Sequence, residues 1–274
     1  MTEFAAGLYV VATPIGNLGD LSKRALEVLE AAVMVAAEDT RTSGKLVRLA
    51  GGAGQMVSLT EHNVTQRAPQ ILEAARAGPV ALVSDAGTPV VADPGARLVD
   101  AAHTAGVPVY AIPGPSALAA AVSVSGFEGS DVHFLGFLPK ANAERKARLT
   151  AAGANAAVLV FFESPNRLAA TLRELGELLP SCEVAVCREL TKVYEEVVRG
   201  SAAELAARFG AARGECTVVV RVPARAAVEA DDAQLREYMA EMQRAGARRA
   251  PAAAEAVRRF GVPRDRAYTL WEER

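Results

Sequence analysis

Leu8–Asp20 reads LYVVATPIGNLGD. An apolar run ends in a loop punctuated by Pro14, Gly16 and Gly19, and a helical pattern follows over residues 21–32, with Leu21, Ala25, Val28, Leu29 and Ala32 on one face and Asp20 in the N-cap position. Strand, tight loop and helix in that order form a site of nucleotide size. Glycine lets the backbone come close to a ligand, and the first-turn N–H groups of a helix offer donors. The loop spells GNLG and lacks the GxGxxG spacing of dinucleotide folds, which favours a nucleoside-type ligand over NAD.

The same rhythm extends outward. Residues 33–38 (VMVAAE), the VSL segment at 57–59, 80–84 (VALVS) and 107–112 (VPVYAI) read as strands. Thr65–Ala77 is helical and stopped by Gly78-Pro79, Asp93-Pro94 reads as a cap and first-turn proline of a helix running to Gly106, and Pro115–Ser125 is helical. This alternation predicts a mostly parallel sheet covered by helices. The polar, basic segment Leu138–Arg148 (LPKANAERKAR) reads as the joint to a second α/β unit. That unit has strands at 157–164, 183–190, 195–200 and 216–222, the last of central type, and helices at 165–179, capped by Ser164, and 202–209. Pro223–Asp232 reads as a linker to an Arg-rich helical tail. The expected organisation is an α/β domain over 1–137, a second α/β domain over 138–224 and a C-terminal helical region over 225–274.

The chain has 274 residues, 51% of them apolar, enough to bury a sizeable core. A formal net charge of −2 excludes a globally basic nucleic-acid coat, so contact with RNA must use local patches. No window holds about 18 uninterrupted apolar residues, and no basic region precedes the first apolar run, so neither a membrane span nor a signal peptide is expected. Cys182, Cys187 and Cys216 form no CxxC pair, and their odd number suits buried thiols in a reducing cytoplasm. His62, His103 and His133 are scattered, and nothing proposes a metal site.

Four loops, each just after a predicted strand, combine Gly or Pro with small hydroxyl or acidic residues: Thr13–Gly19, Ser84–Asp93, Pro113–Ala117 and Glu163–Arg167. Ligands of open α/β sheets bind outside the carboxyl ends of the strands. In SDAGTP, the acid can meet an amino group or ribose hydroxyl and Gly87 can bring backbone to a ligand; the alternative is a plain connecting turn. Glu38-Asp39-Thr40-Arg41 is either a helix N-terminus with acids in its first turn or a substrate-side cluster.

Together, LYVVATPIGNLGDLS, EDTR, LTEHN, LVSDAGTPVVADPG, IPGPSAL, FFESPNR and GECTVVV resemble the tetrapyrrole-methylase superfamily, and within it the small-subunit ribosomal RNA 2′-O-methyltransferase I family, over roughly residues 8–222. The resemblance implies two α/β domains with S-adenosylmethionine in the cleft between them, a cytoplasmic homodimer, and methylation of one cytidine ribose in small-subunit ribosomal RNA. It implies cofactor contacts at Pro14, Asp85, Gly87, Thr88, Val91, Ser116, Ala117, Phe162, Leu190 and Thr217.

For in-line methyl transfer to a ribose hydroxyl, the candidate bases are Glu38, Asp39, Glu163 and Glu189. The Glu38/Asp39 pair with Arg41 is preferred, Arg41 holding a phosphate bidentately. Arg188 and Lys192 flank Glu189 and offer similar contacts. Local positive charge sits at Lys140, Arg145, Lys146 and Arg148, and in the tail, where Arg244–Arg266 holds seven arginines (Arg248, Arg249, Arg258 and Arg259 among them) against Glu255 and Asp265, a formal balance of +5. Tyr268 and Trp271 are spaced to stack bases or to fill a helical core. The competing readings are methylation of a tetrapyrrole or other small molecule on the same fold, and a nucleotide-binding module without catalysis.

Overall fold

The computed structural model describes residues 4–154, 156–223, 232–260 and 262–272, apart from the side chains of Asp232 and Arg258. Two compact units are present, Met1–Val222 and Pro223–Arg274. Within the first, a five-stranded sheet is built from β1 (Gly7–Val11), β2 (Met34–Ala37), β3 (Gln55–Ser58), β4 (Pro79–Val83) and β5 (Val109–Ile112) in the order β3-β2-β4-β1-β5. Every pair is parallel, with Leu8 opposite both Val80 and Val109. A second sheet has the order β6-β7-β10-β8-β9. Its strands are β6 (Val132–Phe137), β7 (Val158–Glu163), β8 (Glu183–Arg188), β9 (Glu196–Ser201) and β10 (Cys216–Arg221). Here only β6 and β7 are parallel, and β10 lies centrally between antiparallel neighbours.

Strand alternation divides each sheet into two buried faces. On the first sheet, Leu8, Met34, Ala36, Val80 and Leu82 pack under α3 (Val64–Ala77) and α4 (Ala96–Thr104). Val11, Val35, Ala37, Ala81 and Val83 pack under α1 (Lys23–Ala31) and α2 (Thr40–Leu49). Fully burying the Leu, Met and Val side chains among these contributes about 1.5–3 kcal/mol each. On the second sheet, Leu159, Phe161, Val184, Val186, Val218 and Val220 face α6 (Asn142–Gly153), α7 (Pro165–Leu178) and α8 (Ala202–Arg208). The opposite face, with Val158, Val160, Ala185, Cys187 and Val219, is covered by Ala121 and its neighbours on α5 (Ala117–Ser125), the helix that follows β5 of the first sheet. Cys182, Cys187 and Cys216 are free and buried; burial pushes all three thiols up, Cys187 to about 12 and Cys216 to about 11. Among the described residues the tail unit is three helices, α9 (Asp232–Arg244), α10 (Arg249–Phe260) and α11 (Arg264–Glu272), around Leu235, Met239, Ala253, Ala256 and Leu270. The predicted linker over 223–232 falls mostly outside the described residues.

The α/β architecture with a small helical C-terminal unit agrees with the sequence reading, but local expectations need correction. The division at 137/138 falls after β6, a strand hydrogen-bonded into the second sheet, so the sheets are joined over 126–131. Leu138–Arg148 is no joint: most of it is the first half of α6. Asp20 does not cap α1. It closes a 3-10 turn, Leu18–Asp20, and Ser22 accepts from Ala25 N–H instead. Asp93 does not cap α4, which begins after Gly95.

Arg145, expected to contact RNA, is buried with 7% exposure. Its guanidinium donates to both oxygens of Glu174 on α7 (2.7 and 2.6 Å) and to the carbonyls of Pro139 (3.3 Å) and Lys140 (3.1 Å). With its donors engaged in this way it is a packing element and not a phosphate ligand. Removing one partner of such a pair leaves the other charge buried and unmatched, which costs about 3–5 kcal/mol. Arg145→Ala is expected to lower unfolding stability by about that amount in urea denaturation, with Glu174→Ala doing nearly the same and the double variant losing far less than the sum.

Candidate active site

Because β1, β2, β4 and β5 are parallel, their carboxyl ends share one edge, and the loops that follow meet there. Hydrogen bonds stitch these loops together. Thr13 and Gly87 exchange backbone bonds of 2.8 and 3.0 Å, and Thr13 Oγ1 donates to the Ser84 carbonyl at 3.2 Å. Thr88 Oγ1 donates to the Pro115 carbonyl at 3.0 Å, and Asp39 N–H donates to Asp85 Oδ1 at 3.1 Å. Gly87 has φ +82°, and a Cβ there would stand 3.2 Å from Ile15 Cγ2, so glycine allows both the turn and the close approach. Val90 also has positive φ (+76°), a strained state for a β-branched residue that costs about 1–3 kcal/mol and persists because its surroundings enforce it.

A cavity of about 470 Å³ opens at this edge, within the roughly 300–1,000 Å³ range of small-molecule sites. Its first wall carries Glu38, Asp85, Gly87, Thr88, Val91, Asp93, Ser116 and Ala117. The facing wall comes from the second sheet, where antiparallel pairing sets Phe162 of β7 opposite Thr217 of β10 and Glu163 opposite Cys216. Phe137, Ser164, Pro165, Gly214 and Glu215 complete that wall, Glu215 paired with Lys192 at 2.9 Å. Ser116 and Ser164 start α5 and α7, and neither hydroxyl makes a capping bond. Eight of the ten predicted cofactor residues therefore line one cavity. Leu190 lines a smaller one of about 30 Å³ with Ile15, Ala117 and Thr217. Pro14 sits between Thr13, bridged to Gly87, and Ile15, which lines both.

Glu38, Asp85 and Asp93 give the first wall a negative field, and among the described residues no ion pair neutralises them. Burial, and then Asp85, raises the Glu38 carboxyl above its ordinary range. Burial, with Glu38 and Asp85 behind it, pushes Asp93 up to about 6. The other predicted bases are engaged. Asp39 caps α2 and holds Arg41 at 3.2 Å, which keeps its carboxyl low, and the Arg41 side chain is 90% exposed. Glu163 accepts from Ser164 N–H and Thr171 Oγ1, both at 2.8 Å, and faces Arg167 at 3.4 Å. Glu189 accepts from Glu215 N–H and Lys192 Nζ, both at 2.9 Å, and these bonds hold it low. Arg188 is likewise taken by Glu196 at 3.0 Å. The cluster Glu38-Asp39-Arg41 is thus split: Glu38 faces the cavity while Asp39 and Arg41 satisfy each other beside it. An acidic wall without cations, opposite a wall of aromatic rings whose own acids Glu163 and Glu215 are paired with Arg167 and Lys192, suits a ligand with a positive charge and an apolar ring system.

The family model for tetrapyrrole (corrin/porphyrin) methylases matches residues 7–206. The chain is 43% identical over 266 residues to ribosomal RNA small subunit methyltransferase I of Micromonospora olivasterospora, covering 95% of this chain and 85% of that protein. It is 44% identical to the protein of the same name from Mycobacterium tuberculosis, covering 90% and 88%. The chain belongs to the ribosomal RNA small subunit methyltransferase I family. Its fold is shared with uroporphyrin-III C-methyl transferase from Thermus thermophilus, solved with S-adenyl homocysteine, at a TM-score of 0.54 and 22% identity over 78% of this chain and 97% of that one.

The residues of this family member expected to meet RNA have diverse surroundings. Lys140 and Arg148 are exposed, and Lys146 lies 3.3 Å from Glu177. In the tail Arg248 is exposed, Arg249 pairs with Glu272 at 2.7 Å and lies over the Tyr268 ring, and Arg259 lies over Tyr238 and Phe260. The side chain of Arg258 is outside the described residues. Tyr268 and Trp271 pack against the tail core. Sequence reasoning placed Asp93 at the end of a candidate loop but took it for a helix cap, and missed Phe137, whose strand is irregular; the lone acid closing the apolar VVA after SDAGTP and an apolar run ending in Gly-Phe-Leu-Pro were the available signals.

Asp93 binds its proton more tightly folded than unfolded, so its ionisation opposes folding as pH rises from its ordinary value of 3.8 through about 6. Asp93→Asn is expected to raise the melting temperature at pH 7.5 by about 2–4 °C, equivalent to about 1 kcal/mol at this chain length. The gain should vanish in scans below about pH 4.

Proposed function

We propose that this chain transfers the methyl group of S-adenosylmethionine to the 2′-hydroxyl of a cytidine ribose in small-subunit ribosomal RNA, acting as a homodimer in the cytoplasm. The observation that carries this reading is the acid-walled, aromatic-backed cavity of about 470 Å³, in a chain whose relatives bear the name ribosomal RNA small subunit methyltransferase I. Asp85, Gly87, Thr88, Val91, Ser116, Ala117, Phe162 and Thr217 would hold the donor, with Pro14 and Leu190 beside them. The bound donor supplies an electrophilic methyl on a positively charged sulfur.

The protein's work is to align and to take a proton. Glu38, Asp85 and Asp93 favour the cationic ligand by their unneutralised charge, and the aromatic rings of the facing wall exclude water, which strengthens that attraction. Holding the reacting groups in line near 3 Å is worth up to about 7–11 kcal/mol of barrier. Among the predicted bases only Glu38 lines the cavity without an ion pair. Its raised pKa makes its carboxylate a better acceptor for the hydroxyl proton than the depressed Asp39 or Glu189. RNA phosphates are met by the exposed Lys140, Arg148 and Arg248 and their basic neighbours. A macrocycle needs no such surface.

The test offers labelled methyl donor with small ribosomal subunits, free ribosomal RNA and a tetrapyrrole precursor. Label is expected at a ribose of the RNA; incorporation into the macrocycle alone rejects the proposal. Glu38→Gln is expected to lower kcat by about 10²–10⁴-fold, with donor affinity by calorimetry changed only a few-fold. Replacing Lys140, Arg148 and Arg248 together by Ala should flatten the salt dependence of RNA binding by about 0.7–0.9 in log–log slope for each phosphate left unneutralised.

A further inference from the structure

Phe137 stands out among the cavity residues because the chain departs from regular structure to present it. In β6, Phe134 pairs with Val160 of β7 and Phe137 with Phe162, so three steps on one strand answer two on the other. Gly136 absorbs the extra residue in a left-handed conformation (φ +61°). In an unbroken strand, residues three apart point to opposite faces; a bulge turns the later one over. Phe134 and Phe137 accordingly both reach the Phe162 ring edge-on, at centroid distances of 5.1 and 5.4 Å. The bulge thus swings Phe137 onto the face that lines the cavity, where it remains 64% exposed.

The segment after it is clamped. Leu138 is buried, Arg167 donates to the carbonyls of Leu138 (3.3 Å) and Pro139 (2.8 Å), and Arg145 donates to those of Pro139 and Lys140. The ring is therefore a fixed, exposed aromatic surface at a cavity mouth, an arrangement that core packing does not require. Charge gives it a direction. Glu38, Asp85 and Asp93 on the opposite wall are unpaired and repel phosphates, whereas the acids of the Phe137 wall, Glu163 and Glu215, are matched by Arg167 and Lys192, and Lys140, three residues after Phe137, is exposed and in no ion pair among the described residues.

We infer that Phe137 is the stacking platform for an RNA base at or next to the methylated ribose, which makes it a substrate-positioning residue. This rests on the methyl-transfer reading of the cavity. The other nucleobase able to use the ring is the adenine of the donor, and the experiment separates the two. Phe137→Ala and Phe137→Tyr are compared with the wild type in three measurements: kcat/KM on small ribosomal subunits, calorimetric affinity for S-adenosylhomocysteine, and fluorescence of 2-aminopurine placed beside the target ribose in an RNA fragment.

Phe137→Ala is expected to lower kcat/KM for RNA by about 5- to 150-fold, the range to which about 1–3 kcal/mol of base stacking converts. Affinity for S-adenosylhomocysteine should stay within about twofold. The 2-aminopurine quench seen with the wild type should be lost in the Ala variant and restored in the Tyr variant. Weakened S-adenosylhomocysteine binding in the Ala variant, or RNA kinetics and quench indistinguishable from wild type, overturns the inference. A wild type that methylates no RNA rejects the function itself, an outcome read independently of either variant.

Discussion

Helix α5 is the element on which the site depends. It starts at the carboxyl end of β5 in the first sheet, yet it buries Ala121 against Val160, Val219 and Cys187 of the second. One helix therefore belongs to the connectivity of one sheet and to the core of the other. Because the first sheet is parallel throughout, its four ligand-side loops emerge at one edge. Because α5 is packed as it is, that edge faces the ends of β7 and β10. The cavity is the space left between two sheets that this helix links, following one in the chain and packing on the other, and neither sheet alone forms it.

The chemistry of the walls follows from this division. The parallel edge contributes backbone-rich loops and acids, held by the Thr13–Gly87 exchange and by the Asp39–Asp85 bond. The second sheet contributes aromatic rings and a buried carboxylate, Glu163, already saturated by Ser164, Thr171 and Arg167. Acids on one side are left without cations, while acids on the other side are matched. This asymmetry separates groups available to a ligand from groups that hold the fold together, and proximity to a strand end does not reveal it.

Much of the first sheet was legible because parallel, two-sided burial writes continuous apolar runs, such as VALVS at 80–84 and LYVVA at 8–12, between Gly and Pro punctuation. The site was legible for the same reason: ligand loops follow those runs, and the motifs resemble a known family. Three features escaped. β6 alternates poorly because a bulge interrupts it, so VHFLGF carried no period of two. Asp93-Pro94 has the form of a helix start, but Gly95 displaces the start and frees the acid for the cavity. The basic residues of 138–148 look alike in sequence, and only packing distinguishes Arg145, held inside by Glu174, from Lys140 and Arg148 outside.

The three cysteines have a practical corollary. All three are buried in the second sheet's core, and burial raises each thiol toward the protonated state. Since the thiolate is the reactive species, maleimides and other alkylating reagents attack them slowly. A single cysteine introduced at an exposed position would then react first. Fluorophores or spin labels can report distances across the cleft with every native cysteine left in place.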